Sequence, residues 1–416
     1  MLYNNDKIRF LRRLHTERKK DMKNESVAIL DIRSYEIVFF LGSKGVNGTF
    51  VFYGNHTEKY EGFSTEGFFD EDSFRRAVVA AVTSVRQTYE GVIGEIYVSV
   101  PAPFVSVLTK GHTISFPKKR KISAQDIDAL FESGQSELLS SGELIRRSAM
   151  YFTLGDNRKY FTADDLYGVP TTLLKGALCY YYASEKFVSV ASSVIKDLGF
   201  NEPKFLPSTL AQALYLLPPK RREGYAFLLD VGFLSTSVSV VYGNGIVREQ
   251  SFDCGLGTVL VSLIQELGVE YAVAEEILQS ANVSGGSVPK ELEWTSESGE
   301  HSFPVWKINE IVKCSLDVLC ENVENFFTAN YREKAATALA VNPISLTGEG
   351  IGGVAGAAEH LSRRLNRLTE TVAPDLPYYD KPAFSSRMAL LNMALSDQKK
   401  RGWFYKIFNN FGGKKK

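Results

Sequence analysis

The chain has 416 residues, 44% of them hydrophobic and 23% charged, an ordinary globular composition long enough for two or more domains, each with its own core. The formal net charge of zero is unevenly spread. Residues 1–24 hold eight basic and three acidic residues and residues 399–416 seven basic and none acidic, which leaves the body near −12 and argues against nucleic acid as its partner. Cys179, Cys254, Cys314 and Cys320 have neither zinc-site spacing nor the density of a disulfide framework, so a reducing cytoplasm is expected. With no secretory apolar core and no apolar run of about 18 residues, any membrane contact should be peripheral.

Residues 1–25 read as a basic, solvated arm with Ile8, Leu11 and Leu14 at helical spacing. An apolar strand over 27–30 then runs into Asp31, a second strand covers 36–41, and Asn47-Gly48 supplies a turn of the kind that tolerates positive φ. Apolar spacing predicts a helix over 72–89 and a strand over 94–100. The stretch 101–116 is strand-like and ends in the basic run 117–121, read as a solvated loop, before Ser123 opens a helix carrying Ile127, Leu130 and Phe131. Further strands are expected over 147–154 and 171–182, and helices over 186–198 and 206–217, the latter stopped by Pro218-Pro219.

The pattern of strand, Asp, turn, strand, Asn-Gly turn then recurs: an apolar run ends in Asp230 and Gly232, an alternating strand covers 235–242, and Asn244-Gly245 reverses it. From Asp31 to Asn47 is 16 positions and from Asp230 to Asn244 is 14, an approximate repeat that predicts two related α/β lobes. Helices are expected over 258–267, 271–281 and 308–331, with a loop or short hairpin over 283–304. A buried strand over 344–347 leads into the glycine-rich 348–353, then helices over 354–368 and 387–395. In the tail, Trp403, Phe404, Ile407, Phe408 and Phe411 share a helical face beside Lys400, Arg401 and Lys406, the composition of a helix lying in the headgroup plane of an anionic membrane.

In this order the segments resemble the FtsA family of bacterial cell-division proteins, relatives of actin-like ATPases. The resemblance is carried by Leu30-Asp31-Ile32, by Ile96-Tyr97-Val98-Ser99-Val100 followed by the 122–127 helix entry, by Leu229-Asp230-Val231-Gly232, by Ser345-Leu346-Thr347-Gly348-Glu349-Gly350, and by the tail. It implies a two-lobed actin-like (ribonuclease H-like) fold. Subdomain 1A would comprise 26–100 and 184–222, an inserted 1C 101–183, 2A 223–260 and 332–396, and 2B 261–331, with a membrane-targeting amphipathic helix over 397–416. It implies ATP with Mg²⁺, contacted by Asp31, Ser34, Asp230, Gly232, Ser235, Thr236, Gly255, Glu275, Gly348 and Gly350, the two aspartates holding the metal through water. Its partners would be the FtsZ C-terminal tail, other copies of itself in a filament or dimer, further divisome proteins and anionic lipids, at the cytoplasmic face of the cell membrane at the division site.

The chain departs from the family at physically important positions. Arg33 stands for a glycine in the first phosphate turn and Glu36 for a lysine, Phe233 and Leu234 replace glycines in the second, Ser237 replaces an aspartate, and Leu278 stands where a lysine accompanies Glu275. Glycine lets backbone approach phosphate without a Cβ in the way, and each lost donor forfeits about 1.5–3 kcal/mol. The expectation is a non-hydrolysing scaffold with weak or lost ATP binding. The alternatives are a pilus-assembly actin homologue of the PilM kind and an active ATPase of the actin or chaperone kind.

Overall fold

The computed structural model describes residues 26–45, 49–136, 138, 141–156, 158–284, 291–296, 299–330, 342–352 and 354–411; the 1–25 arm and the Asn47-Gly48 turn lie outside them. The first lobe opens with the antiparallel strands β1 (Val27–Ile32), β2 (Glu36–Lys44) and β3 (Phe50–Lys59), followed by α1 (Glu71–Thr88) and β4 (Ile96–Val100). An inserted module follows: β5 (Val105–Lys121), α2 (Ala124–Gln135), β6 (Glu143–Thr153) and β7 (Pro170–Ala183). The chain returns through α3 (Glu185–Asp197), β8 (Lys204–Pro207) and α4 (Ser208–Leu216). The second lobe begins with β9 (Tyr225–Val231), β10 (Thr236–Tyr242) and β11 (Gly245–Phe252), then α5 (Leu256–Leu267) and α6 (Tyr271–Ser280). The hairpin β12 (Glu291–Ser296) and β13 (Gly299–Pro304) precedes α7 (Val305–Asn330), β14 (Ile344–Thr347), α8 (Ala357–Arg364), β15 (Thr369–Thr371) and α9 (Ser385–Phe411).

The two sheets are topological copies. Their orders are β3-β2-β1-β4-β8 and β11-β10-β9-β14-β15, each an antiparallel meander extended by two parallel strands. Even the irregularities correspond: the bulges at Leu41/Gly42 and Val240/Val241 fall at the same distance beyond Asp31 and Asp230. This accounts for the repeat in the sequence. β1 and β9 are near-continuous apolar runs because both faces are covered. Leu30 and Ile32 pack with α1 and α3, while Val27 and Ile29 pack with α4 and the start of α9. Phe227 and Leu229 face α5, α7 and α8, while Ala226 and Leu228 face Ala213 and Leu217 at the end of α4. The inserted module is an antiparallel sheet β5-β7-β6 with α2 against it, and it leans on the second lobe, where the Tyr181 hydroxyl accepts the Ile246 N–H at 2.9 Å.

Four expectations need correcting. The basic run 117–121 is strand, not loop: β5 bulges between Ser115 and Arg120 and pairs with β7 again at Arg120, whose guanidinium lies over Phe116 and bonds Asp126 in the capping box of α2. The helix expected from 206 starts at Ser208, because Pro207 holds Leu206 extended and Leu206 joins β8. The helix expected over 354–368 is only Ala357–Arg364, since left-handed Asn366 (φ 46°) turns the chain into the parallel edge strand β15. The last apolar helix continues without a break into the tail as far as Phe411, as α9. Its first half buries Met388, Ala389, Leu390, Leu391 and Ala394. The side chains of Lys400, Arg401, Trp403, Phe404, Lys406, Ile407, Phe408 and Phe411 lie outside the described residues.

Candidate functional site: the interlobe cleft

The turns after β1 and β9 face each other across the lobes. Each is closed by an equivalent backbone bond, Arg33 N–H to Glu36 O at 2.9 Å and Gly232 N–H to Ser235 O at 3.0 Å. Asp31 and Asp230 sit at the inner ends of these strands. Ser386 on α9 donates to Asp31 Oδ1 at 2.8 Å, and Gln212 on α4 donates through Nε2 to Asp230 Oδ2 at 2.8 Å. Each aspartate keeps one oxygen, Asp31 Oδ2 and Asp230 Oδ1, without a hydrogen-bond partner.

Backbone donors of these turns are occupied by the protein itself. Leu234 N–H donates to Ser34 Oγ at 2.9 Å and Phe233 N–H to Glu349 Oε1 at 3.2 Å. Arg33 pairs with Glu349, Nε to Oε2 at 2.7 Å, and its Nη1 donates to Ala383 O at 2.8 Å. Tyr35 stacks on Phe233 with ring centroids 4.4 Å apart. At the rim, Thr65 donates its N–H and hydroxyl to the two carboxylate oxygens of Asp253, at 2.7 and 2.6 Å. Ser34, Arg33, Tyr35, Gln212 and, at the rim, Thr65 of the first lobe thus engage the second.

The electrostatics run the same way. Burial pushes the Glu349 carboxyl up to about 7 against the pull of Arg33, with Glu36, Asp230 and Asp31 adding repulsion. Burial also raises Asp31 and Asp230, with Arg33 opposing in each case. Burial alone would lower Arg33, but Glu349, Asp31, Asp230 and Glu36 hold it above the ordinary arginine value. The cleft thus holds several buried carboxyls around the guanidinium of Arg33, which Glu349 already engages.

A triphosphate does not fit this arrangement. The remaining cavity is about 60 Å³, room for a few waters and far below the roughly 300–1,000 Å³ of small-molecule sites. Glycines of the cleft serve crossings of the chain's own backbone. Gly348, at φ 108°, would place a Cβ 2.3 Å from Val231 O, and Gly350 one 2.3 Å from Gly232 O. Gly255 would meet that same oxygen at 2.4 Å, and Gly232 would meet Ser235 O at 2.6 Å. Ser34, Asp230, Gly232 and Ser235 do line the cavity, and the structure brings Asp31 to it through Ser386. Thr236 instead turns inward to bond Cys254 O at 2.7 Å, and Glu275 is held by the Tyr271 hydroxyl at 2.8 Å, away from the cavity lining. The residues that organise the cleft and that sequence reasoning did not assign to it are Gln212 and Ser386; Arg33 and Glu349 were placed in its turns, but not as a pair that joins the lobes. Gln212 could have been found as a lone amide within an apolar helical stretch.

No protein-family model matches this chain, and no curated protein matches it in sequence. Solved structures do match in fold. A PilM-PilN type IV pilus biogenesis complex superposes with TM-score 0.57 at 11% identity over 89% of this chain and 98% of that one. MreB5 of Spiroplasma citri bound to AMPPNP gives 0.53 at 9% identity over 91% and 98%, and its ADP-bound form 0.52 at 8% identity over 91% and 99%. With the duplicated sheets and facing turns in place, the chain has the mixed α/β fold of the actin-like ATPases.

Proposed function

We propose that this protein is an actin-like assembly scaffold whose lobes are joined by its own side chains where its relatives use a nucleotide, working at the cytoplasmic face of a membrane. The observation that supports this is Glu349, whose carboxylate receives the Phe233 amide and Arg33 and so takes the place a phosphate would have. A scaffold of this kind needs only a rigid two-lobed body and surfaces for partners. In the FtsA-like reading it self-assembles, binds the FtsZ C-terminal tail and other divisome proteins, and meets anionic lipids through the aromatic and basic tail. The likeness to the PilM-PilN complex favours a second reading with a pilus-assembly partner of the PilN kind.

Thermal unfolding with and without about 1 mM MgATP tests the cleft: the midpoint should move by less than about 1 °C, and a rise of several degrees would overturn the proposal. Retention of a labelled FtsZ C-terminal peptide by liposome-bound protein supports the first reading. Retention of a PilN peptide instead supports the second.

A further inference from the structure

At the far end of the second lobe a buried cation lacks a counter-charge. Arg367, between α8 and β15, is 9% exposed, with its guanidinium 4.8 Å from the Phe227 ring centre and 4.2 Å from that of Phe327. Its Nη1 is buried without a hydrogen-bond partner, and among the described residues no carboxylate pairs with it. Arg222 shows how this chain treats a buried arginine that only holds structure: its guanidinium donates to Leu217 O at 2.9 Å, to Gly243 O at 2.5 Å and to the Asn244 side chain. Among the described residues Arg367 has no such acceptors, and the two ring faces compensate a buried cation less fully than hydrogen-bond acceptors or a carboxylate would.

Beside it opens a cavity of about 290 Å³, lined among the described residues by Phe327, Ile344 and Leu365 together with Glu324 and Thr328. Glu324 is already engaged by Arg364, Nη1 to Oε1 at 3.2 Å. We infer that this pocket binds a carboxylate carried next to an aliphatic group, with Arg367 receiving the carboxylate and the apolar walls receiving the side chain. A planar guanidinium matches a carboxylate in two parallel hydrogen bonds. Among the described residues the lining offers one cation, apolar walls and a glutamate, which makes a phosphate dianion the poorer fit.

The test uses the full chain and N-acetyl-leucine, with N-acetyl-leucinamide and inorganic phosphate as controls, in titration calorimetry. The wild type should bind N-acetyl-leucine saturably and neither control. Arg367→Met should weaken binding by about tenfold or more, while methionine keeps a soft apolar contact with the Phe227 and Phe327 rings that the guanidinium faces. Thr328→Trp, which blocks the exposed mouth without touching the core, should abolish binding as well and gives an independent answer if the Met variant does not fold. A short peptide ending in leucine distinguishes the sources: tighter binding than the free acid points to a protein terminus and equal binding to a small acid, and either supports the carboxylate assignment. Binding of the amide equal to the acid, unchanged binding by either variant, or no wild-type binding up to about 50 mM, beyond what a ligand of this size should need, would overturn it.

Discussion

The Glu349→Gln substitution isolates the charge at the centre of the cleft while keeping an acceptor for the Phe233 amide. The folded protein holds Glu349 protonated up to about pH 7, against an ordinary value of 4.5. Between those two pH values the native state therefore carries more protons than the unfolded chain. Stability from this group is fully present below about pH 4.5 and is lost as pH rises through 7, the sign expected for a raised carboxyl. Converted at about 1.4 kcal/mol for each tenfold change, the gap is worth up to about 3 kcal/mol at pH 8. The cluster with Asp31 and Asp230, both also raised, shares the protons, so about 2–3 kcal/mol is the realistic span. An unfolding entropy of about 2.1 cal/mol/K per residue makes this about 3 °C in midpoint for a cooperative chain of this length. Glutamine resembles the protonated acid, so wild type and variant should coincide near pH 5 and diverge with the variant higher by pH 8. Differential scanning calorimetry from pH 5 to 8 measures this. Parallel curves, or a variant less stable than wild type at pH 8, would refute the reasoning, because the Arg33 ion pair would then outweigh the desolvation of the carboxylate.

Three further outcomes test the architecture. Gly348→Ala forces a Cβ to within 2.5 Å of both Val231 O and Asp230 Oδ1 at a left-handed φ; it should cost about 3 kcal/mol or more and lower the midpoint by several degrees, and a midpoint within 1 °C of wild type would show that the crossing there is loose. Ending the chain after Asp397 keeps the buried half of α9, so the midpoint should stay within about 2 °C while pelleting with anionic liposomes is lost. Ending it after Pro382 removes Met388, Leu390 and Leu391 from the core, at about 1.5–3 kcal/mol each, and should give no folded protein. Equal pelleting by the full chain and the Asp397 truncation would remove the tail as anchor.

The lobes were legible in the sequence because their signals are local. Strand runs ending in Asp31 and Asp230, each followed by a half-buried strand, are written within about 20 residues, and the paired sheets of this structure follow them. The inserted module was legible for the same reason, apart from the basic end of β5, where charged residues and a proline suggest a loop until the partner strand is known. Charge and composition likewise marked both termini as basic, although the side chains of the 399–411 segment lie outside the described residues.

What only the folded chain decided is which distant groups meet in the cleft. Ser386 reaches Asp31 across 355 positions and Arg33 reaches Ala383 across 350, and no periodicity links such residues. Glycines 348 and 350 read equally well as room for phosphate or as room for backbone, since a missing Cβ does not say what fills the space. The sequence by itself determined that two duplicated α/β halves would form, each with a strand ending at an aspartate before a turn. The tertiary structure decided that Glu349, Arg33 and Ser34 fill the gap between those halves, because hydrogen bonding and burial there depend on segments brought together only by folding.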